Sequence, residues 1–278
     1  MKIQRLTLIC LFAIASQPAF AAIGPWVATD KVRVRLVATP PTQHGALDGA
    51  IEIELAPGWK TYWRTPGDAG VPPRFDFSAS ANAKGGHVEF PAPERYDDGY
   101  AASNVYHDRV VLPVRFQVPD ASKPVSLDVT LDIGICEEVC IPVNLQASLD
   151  VPLDAGDAEA TALVASARAA LPGPGQPGIF ELETLKRVGG ADQKPEFEVT
   201  FAARKAGEPL LFVETPGDWF ADSPKPVTLA GGKKAFRFAV DRREAAGDIA
   251  GSEIRLTLTE GGQATSRTFK LDADDTKP

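Results

Sequence analysis

Cysteine, histidine and methionine are scarce in this chain: three, three and one in 278 residues. Three cysteines are too few for a small domain held together by a disulfide scaffold. His44, His87 and His107 are scattered with no His-x-x-His spacing, and Met1 is the sole methionine. No metal site and no cofactor is therefore expected. There is neither a phosphate-cradling glycine loop nor a nucleophile-elbow serine. No apolar run reaches the ~18 residues of a membrane-spanning helix. Basic residues are also short, 29 Lys and Arg against 37 Asp and Glu, for a net charge of −8. Lys2 and Arg5 are spent at the very start, so the remaining body is more acidic still. That balance argues against nucleic acid or an anionic membrane surface as partner. Glycine and proline, by contrast, are plentiful at 24 each, and 44% of residues are hydrophobic. A turn-rich β protein with a real core is the class that fits.

The N-terminus has the pattern of an export signal. Lys2 and Arg5 precede an apolar run from Leu6 to Ala15, and Ala19-Phe20-Ala21 supplies small residues for cleavage after Ala21. Residues 1–21 are read as a signal peptide that takes Cys10 with it. Residues 22–153 then read as a first β domain. Val32, Val34 and Leu36 alternate with charged residues, as do Ile51, Ile53 and Leu55, and Pro57-Gly58 and Pro66-Gly67-Asp68 mark turns. Residues 154–178 read as a short alanine-rich helix, capped by Asp154 or Asp157 and stopped at Pro172, then a Pro/Gly linker. Residues 179–278 read as a second β domain, with a hairpin turn at Gly261-Gly262 and a frayed tail from Asp272. The expected fold is all-β, two immunoglobulin-like sandwiches joined by the helix and linker. Thr-Pro-Gly-Asp occurs twice, at Thr65–Asp68 and Thr215–Asp218. Either a duplicated domain or two unrelated turns produces that repeat.

Removal of the leader leaves one close pair of thiols, Cys136 and Cys140, in an oxidising compartment. From Val125 to Ile135 every odd position is apolar, and the alternation resumes from Ile141 to Val151. Period two places both cysteines on the polar face of a hairpin. In a straight strand, positions four apart are ~13 Å apart, beyond the roughly 4.4–6.8 Å a disulfide spans between Cα atoms. A chain reversal over Glu137, Glu138 and Val139 puts the two directly opposite; a helical turn also brings them together, but β-branched flanks disfavour it. Such a disulfide is either redox-active or a staple, and a loop this short gains only ~2 kcal/mol from cross-linking. Glu137 and Glu138 disfavour a nearby thiolate, so a thiol pKa at or above the ordinary ~8.5 and a reductant's role are expected.

Ile135–Pro142 resembles the redox loop of the N-terminal domain of the DsbD family, in its suppressor-of-copper-sensitivity branch. Gly58–Gly70, Phe90–Tyr96 and Tyr106–Val114 resemble further blocks of that family in the same order. The resemblance implies an immunoglobulin-like periplasmic domain that relays electrons by thiol–disulfide exchange. It assigns catalytic roles to Cys140, which attacks the partner, and Cys136, which resolves. It implies a cap at Asp97-Asp98-Gly99-Tyr100, with Tyr96 assisting; Gly99 stands where the family carries an aromatic. Trp59, Tyr62 and Trp63 are candidates for an aromatic wall beside the sulfurs, or else core residues. Expected partners are periplasmic thioredoxin-fold proteins and a separate membrane thiol reductase, since this chain shows neither a second apolar span nor Cys-x-x-Cys. A non-catalytic interaction module and a copper-handling protein are the alternative functions.

Overall fold

The computed structural model describes residues 22–153, 156–204, 207–243 and 249–271. The signal-peptide reading, Asp154 and the tail lie outside the described residues. The first half contains β1 (Val27–Ala28), β2 (Val32–Ala38), β3 (Ala46–Leu55), β4 (Lys60–Gly67), β5 (Arg74–Asp76), β6 (Lys84–Val88), β7 (Glu94–Asp97), β8 (Ala102–His107), β9 (Arg109–Gln117), β10 (Val125–Cys136) and β11 (Cys140–Val151). After α1 (Ala158–Ala169) come β12 (Glu181–Ala191), β13 (Lys194–Ala202), β14 (Leu210–Glu214), β15 (Phe220–Ala221), β16 (Lys225–Thr228), β17 (Lys234–Asp241), β18 (Glu253–Glu260) and β19 (Gln263–Lys270).

The first domain is an antiparallel sandwich. One sheet runs β1-β2-β3-β9-β6; the other runs β11-β10-β4-β8-β7, with β5 also on β10. Alternation decides what lies between them. The odd residues of β10, from Val125 to Ile135, are all buried, and they share a core with Val32, Val34 and Leu36 of β2, Ile51 and Ile53 of β3, and Leu112, Val114 and Phe116 of β9. The polar face of the first sheet is partly covered too. Glu52 on β3 is 1% exposed because Arg35 and Arg109 close over its carboxylate.

The helix is not a free joint between domains. Asp157 caps it, accepting from the amides of Glu159 and Ala160 at 2.8 and 3.1 Å. Its Ala160 and Val164 pack on Val37 and Ala50, on the outer face of the first sheet. Arg168 in its last turn pairs with Asp48 and Glu89. Asp157→Ala should lower stability by about 1 kcal/mol, read as a shift in the urea midpoint with unchanged slope.

The second domain pairs β12-β13-β17-β15, with β16 on β17, against β14-β18-β19. Phe197, Val199, Phe236, Leu256 and Leu258 fill the space between. Gly261 and Gly262, with φ of 56° and 77°, make the two-residue turn between β18 and β19. Strand β14 serves both domains. Leu211 and Val213 point into the second core, whereas Phe212, on the opposite face, belongs to the first core and meets Trp63 edge-on at 5.9 Å. Beside that contact Arg64 donates two hydrogen bonds to Glu214, at 2.6 and 2.8 Å. The two Thr-Pro-Gly-Asp segments directly follow this ion pair on either side, and both line the interdomain cavity.

Candidate functional site

Cys136 closes β10 and Cys140 opens β11. They are opposite partners in the ladder, and a disulfide joins them across the Glu137-Glu138-Val139 turn, with Cα atoms 4.2 Å apart. The reversal expected from the alternation is present. The shared wet face is not: Cys136 is 2% exposed, while Cys140 is exposed. The cause is the position of the two strands. Strand β11 is the sheet edge, but β10 has β4 on its other side, with Lys60 opposite Cys136 and Thr61 opposite Ile135. Side chains of β4 and its neighbours therefore cover the inner sulfur and leave the outer one open.

Tyr62 is the principal cover. Its hydroxyl lies 2.9 Å from Cys136 Sγ and 3.3 Å from Cys140 Sγ. Two glycines make room for its ring. A Cβ on Gly134 would come within 3.3 Å of the ring, and one on Gly70, whose φ is 122°, would overlap it. Burial raises the Tyr62 pKa, and the Asp98 carboxylate adds to the rise. The hydroxyl thus stays protonated at neutral pH and can donate to a thiolate formed here. Tyr96 packs against the same cluster of Tyr62, Val105 and Cys136.

Lys60 is the residue that sequence reasoning missed. It is buried, its Nζ donates to the Glu137 carbonyl at 3.2 Å, and the same ammonium sits 4.0 Å from the Tyr96 ring centre. An ammonium on the residue directly opposite Cys136 in the ladder favours thiolate. It opposes the effect expected of Glu137 and Glu138, both of which are exposed at the turn. The register could have revealed it, because Lys60 has the same parity as Tyr62.

The other sequence candidates are placed elsewhere. Trp59 and Trp63 lie in the first core, away from the sulfurs, because odd positions of this stretch face inward. Gly99 and Tyr100 are exposed, Tyr100 fully so. Their turn is shaped by Asp97, which accepts from the Gly99 amide, and by Asp98, which accepts from the Tyr100 and Ala101 amides. Those last two bonds, Ala101 first, hold the Asp98 carboxyl below its ordinary pKa. His44 and His87 are exposed, and His107 contacts Glu94 at 3.1 Å. Among the described residues, no three His, Cys, Asp or Glu come together as metal ligands. No described helix is long and apolar enough to cross a membrane.

Tyr62→Phe removes the donor while keeping the ring. A thiolate formed at either sulfur then loses one hydrogen bond, worth about 1 kcal/mol, so its formation is disfavoured. The pH dependence of iodoacetamide alkylation in the reduced protein measures it, and alkylation at neutral pH should slow several-fold.

The fold and the site together define an immunoglobulin-like domain that carries one half-covered disulfide at a hairpin tip. Residues 27–152 match the family described as thiol:disulfide interchange protein DsbD, N-terminal. Among solved structures, the N-terminal periplasmic domain of ScsB from Proteus mirabilis is similar over both domains. It has a TM-score of 0.70 and 23% identity, covering 91% of this chain and 99% of that one. None of the curated proteins compared with the chain matches it.

Proposed function

We propose that this protein is a periplasmic thiol–disulfide exchange protein that passes reducing equivalents through Cys136 and Cys140. One observation supports this above the others: one sulfur of the pair is open to solvent and its partner is covered. A staple needs no such asymmetry, whereas an exchange cycle does. In the reduced state the Cys140 thiolate attacks a client disulfide, forming a mixed disulfide and releasing one client thiolate. The Cys136 thiolate then attacks Cys140 Sγ and expels the second client thiolate. The client gains two electrons, and the Cys136–Cys140 bond re-forms. A dithiol donor of the thioredoxin fold returns the protein to its reduced state by the reverse steps. Val139, Ile141 and Val71 are exposed apolar residues, the first two flanking Cys140 along the chain, and they give a partner a dry footing beside the reactive sulfur.

Export to the periplasm rests on the N-terminal pattern and on the periplasmic domain named for the similar structure. The exchange reading is tested by mixing the reduced protein with an oxidised thioredoxin-fold protein and counting free thiols on each after acid quenching. Transfer within minutes is expected. A pair that exchanges no faster than free glutathione would leave only a structural disulfide.

A further inference from the structure

We propose that Arg95 is a positioning residue through which the second domain holds Tyr96 over Cys136. The proposal rests on the exchange reading for its purpose, though not for its geometry. Strand β7 is four residues long and lies at the edge of its sheet, paired with β8 from Glu94↔Val105 to Asp97↔Ala102. So short an edge strand is weakly held by its own ladder. Its two central side chains point to opposite faces. Tyr96 goes to the Cys136 cluster. Arg95 goes to the second domain, where its guanidinium donates to Ser223 Oγ at 2.8 Å and to the Leu211 carbonyl at 3.0 Å, over the Phe212 ring at 5.0 Å.

The far end of the turn that follows β7 is tied to the same place. Asp68 accepts from the Ala102 amide and from Ser223 Oγ, both at 3.2 Å, and its own amide donates to the Ala102 carbonyl. Both roots of the 97–101 turn thus converge on Ser223. Burial pulls the Arg95 pKa below the ordinary arginine value, as expected of a guanidinium taken out of water to make these contacts. The second domain is then more than a spacer, because it fixes the strand whose Tyr96 packs against the cluster of Tyr62, Val105 and Cys136.

The test is site-resolved alkylation of the reduced full chain with iodoacetamide, read by mass spectrometry as the ratio of Cys136 to Cys140 labelling. Arg95→Met should raise that ratio about fivefold or more, with Cys140 labelling nearly constant. Arg95→Lys should restore part of the protection. Ser223→Ala, a milder change, should raise the ratio in the same direction and serves if Arg95→Met does not fold. Glu214→Gln weakens the same domain interface without touching β7 and should leave the ratio at the wild-type value. An unchanged ratio in folded Arg95→Met or Ser223→Ala overturns the proposal, as does an equal rise in Glu214→Gln. Labelling reads the clamp whether or not the wild type exchanges with a thioredoxin-fold protein, so the two readings fail separately.

Discussion

Cys136→Ser should accumulate mixed disulfides with thioredoxin-fold partners, and Cys140→Ser should not. The difference should be roughly tenfold or more in trapped complex, because attack requires an accessible thiolate and the two sulfurs differ in access. Cys140 is exposed at the edge strand, while Cys136 is 2% exposed beneath Tyr62. In Cys136→Ser the outer thiolate still reaches a client disulfide, but the thiol that would expel the client is gone. The complex therefore stalls as a covalent adduct. In Cys140→Ser the remaining thiol is behind the tyrosine cover, and little adduct forms. Non-reducing gels of the purified variants, mixed with an oxidised thioredoxin-fold protein, give the answer directly. Equal trapping by both variants would mean that the cover does not discriminate between the sulfurs. No trapping by either would favour the staple.

The hairpin and its disulfide were legible because a period of two is strict. Nine consecutive strand positions on β10, Val125 to Ile133, alternate as the sequence predicts, and Cys136 falls opposite Cys140 without adjustment. The burial of Cys136 was not legible from that hairpin alone, since it depends on which strand lies on the far side of β10. The same rule, applied one strand further, separates the aromatic candidates. Trp59, Thr61 and Trp63 have one parity and Lys60, Tyr62 and Arg64 the other, so the two tryptophans face the core and Tyr62 faces the sulfurs. Treating Trp59, Tyr62 and Trp63 as a single wall ignored that alternation. The helix left a weaker trace. Val37, Ala50 and Val111 put apolar residues on a face that otherwise carries charge, and α1 covers them. The contact between domains had no local signal, because Phe212 differs from its neighbours only in which core it enters.

That contact carries the largest stability effect expected of any single side chain here. Trp63 is fully buried within the first core and touches Phe212 of the second domain. Truncating a buried tryptophan removes its transfer free energy and leaves a cavity, and Trp63→Ala should therefore cost about 3–5 kcal/mol. The loss should also separate the domains. Arg64 lies over the Trp63 ring, 4.5 Å from its centre, and the same guanidinium reaches Glu214. Removing the ring takes away the surface that orients this bridge as well as the packing on Phe212. Urea unfolding followed by fluorescence can resolve the two effects, because Trp219 reports on the second domain while Trp26 and Trp59 report on the first. In the wild type the transitions should nearly coincide; in Trp63→Ala the first-domain transition should move to lower urea and part from that of Trp219. Phe212→Ala, which opens the same contact from the other side, should part them too. A loss below about 1 kcal/mol for Trp63→Ala would mean that the two cores are sealed independently and that the ring only rests between them.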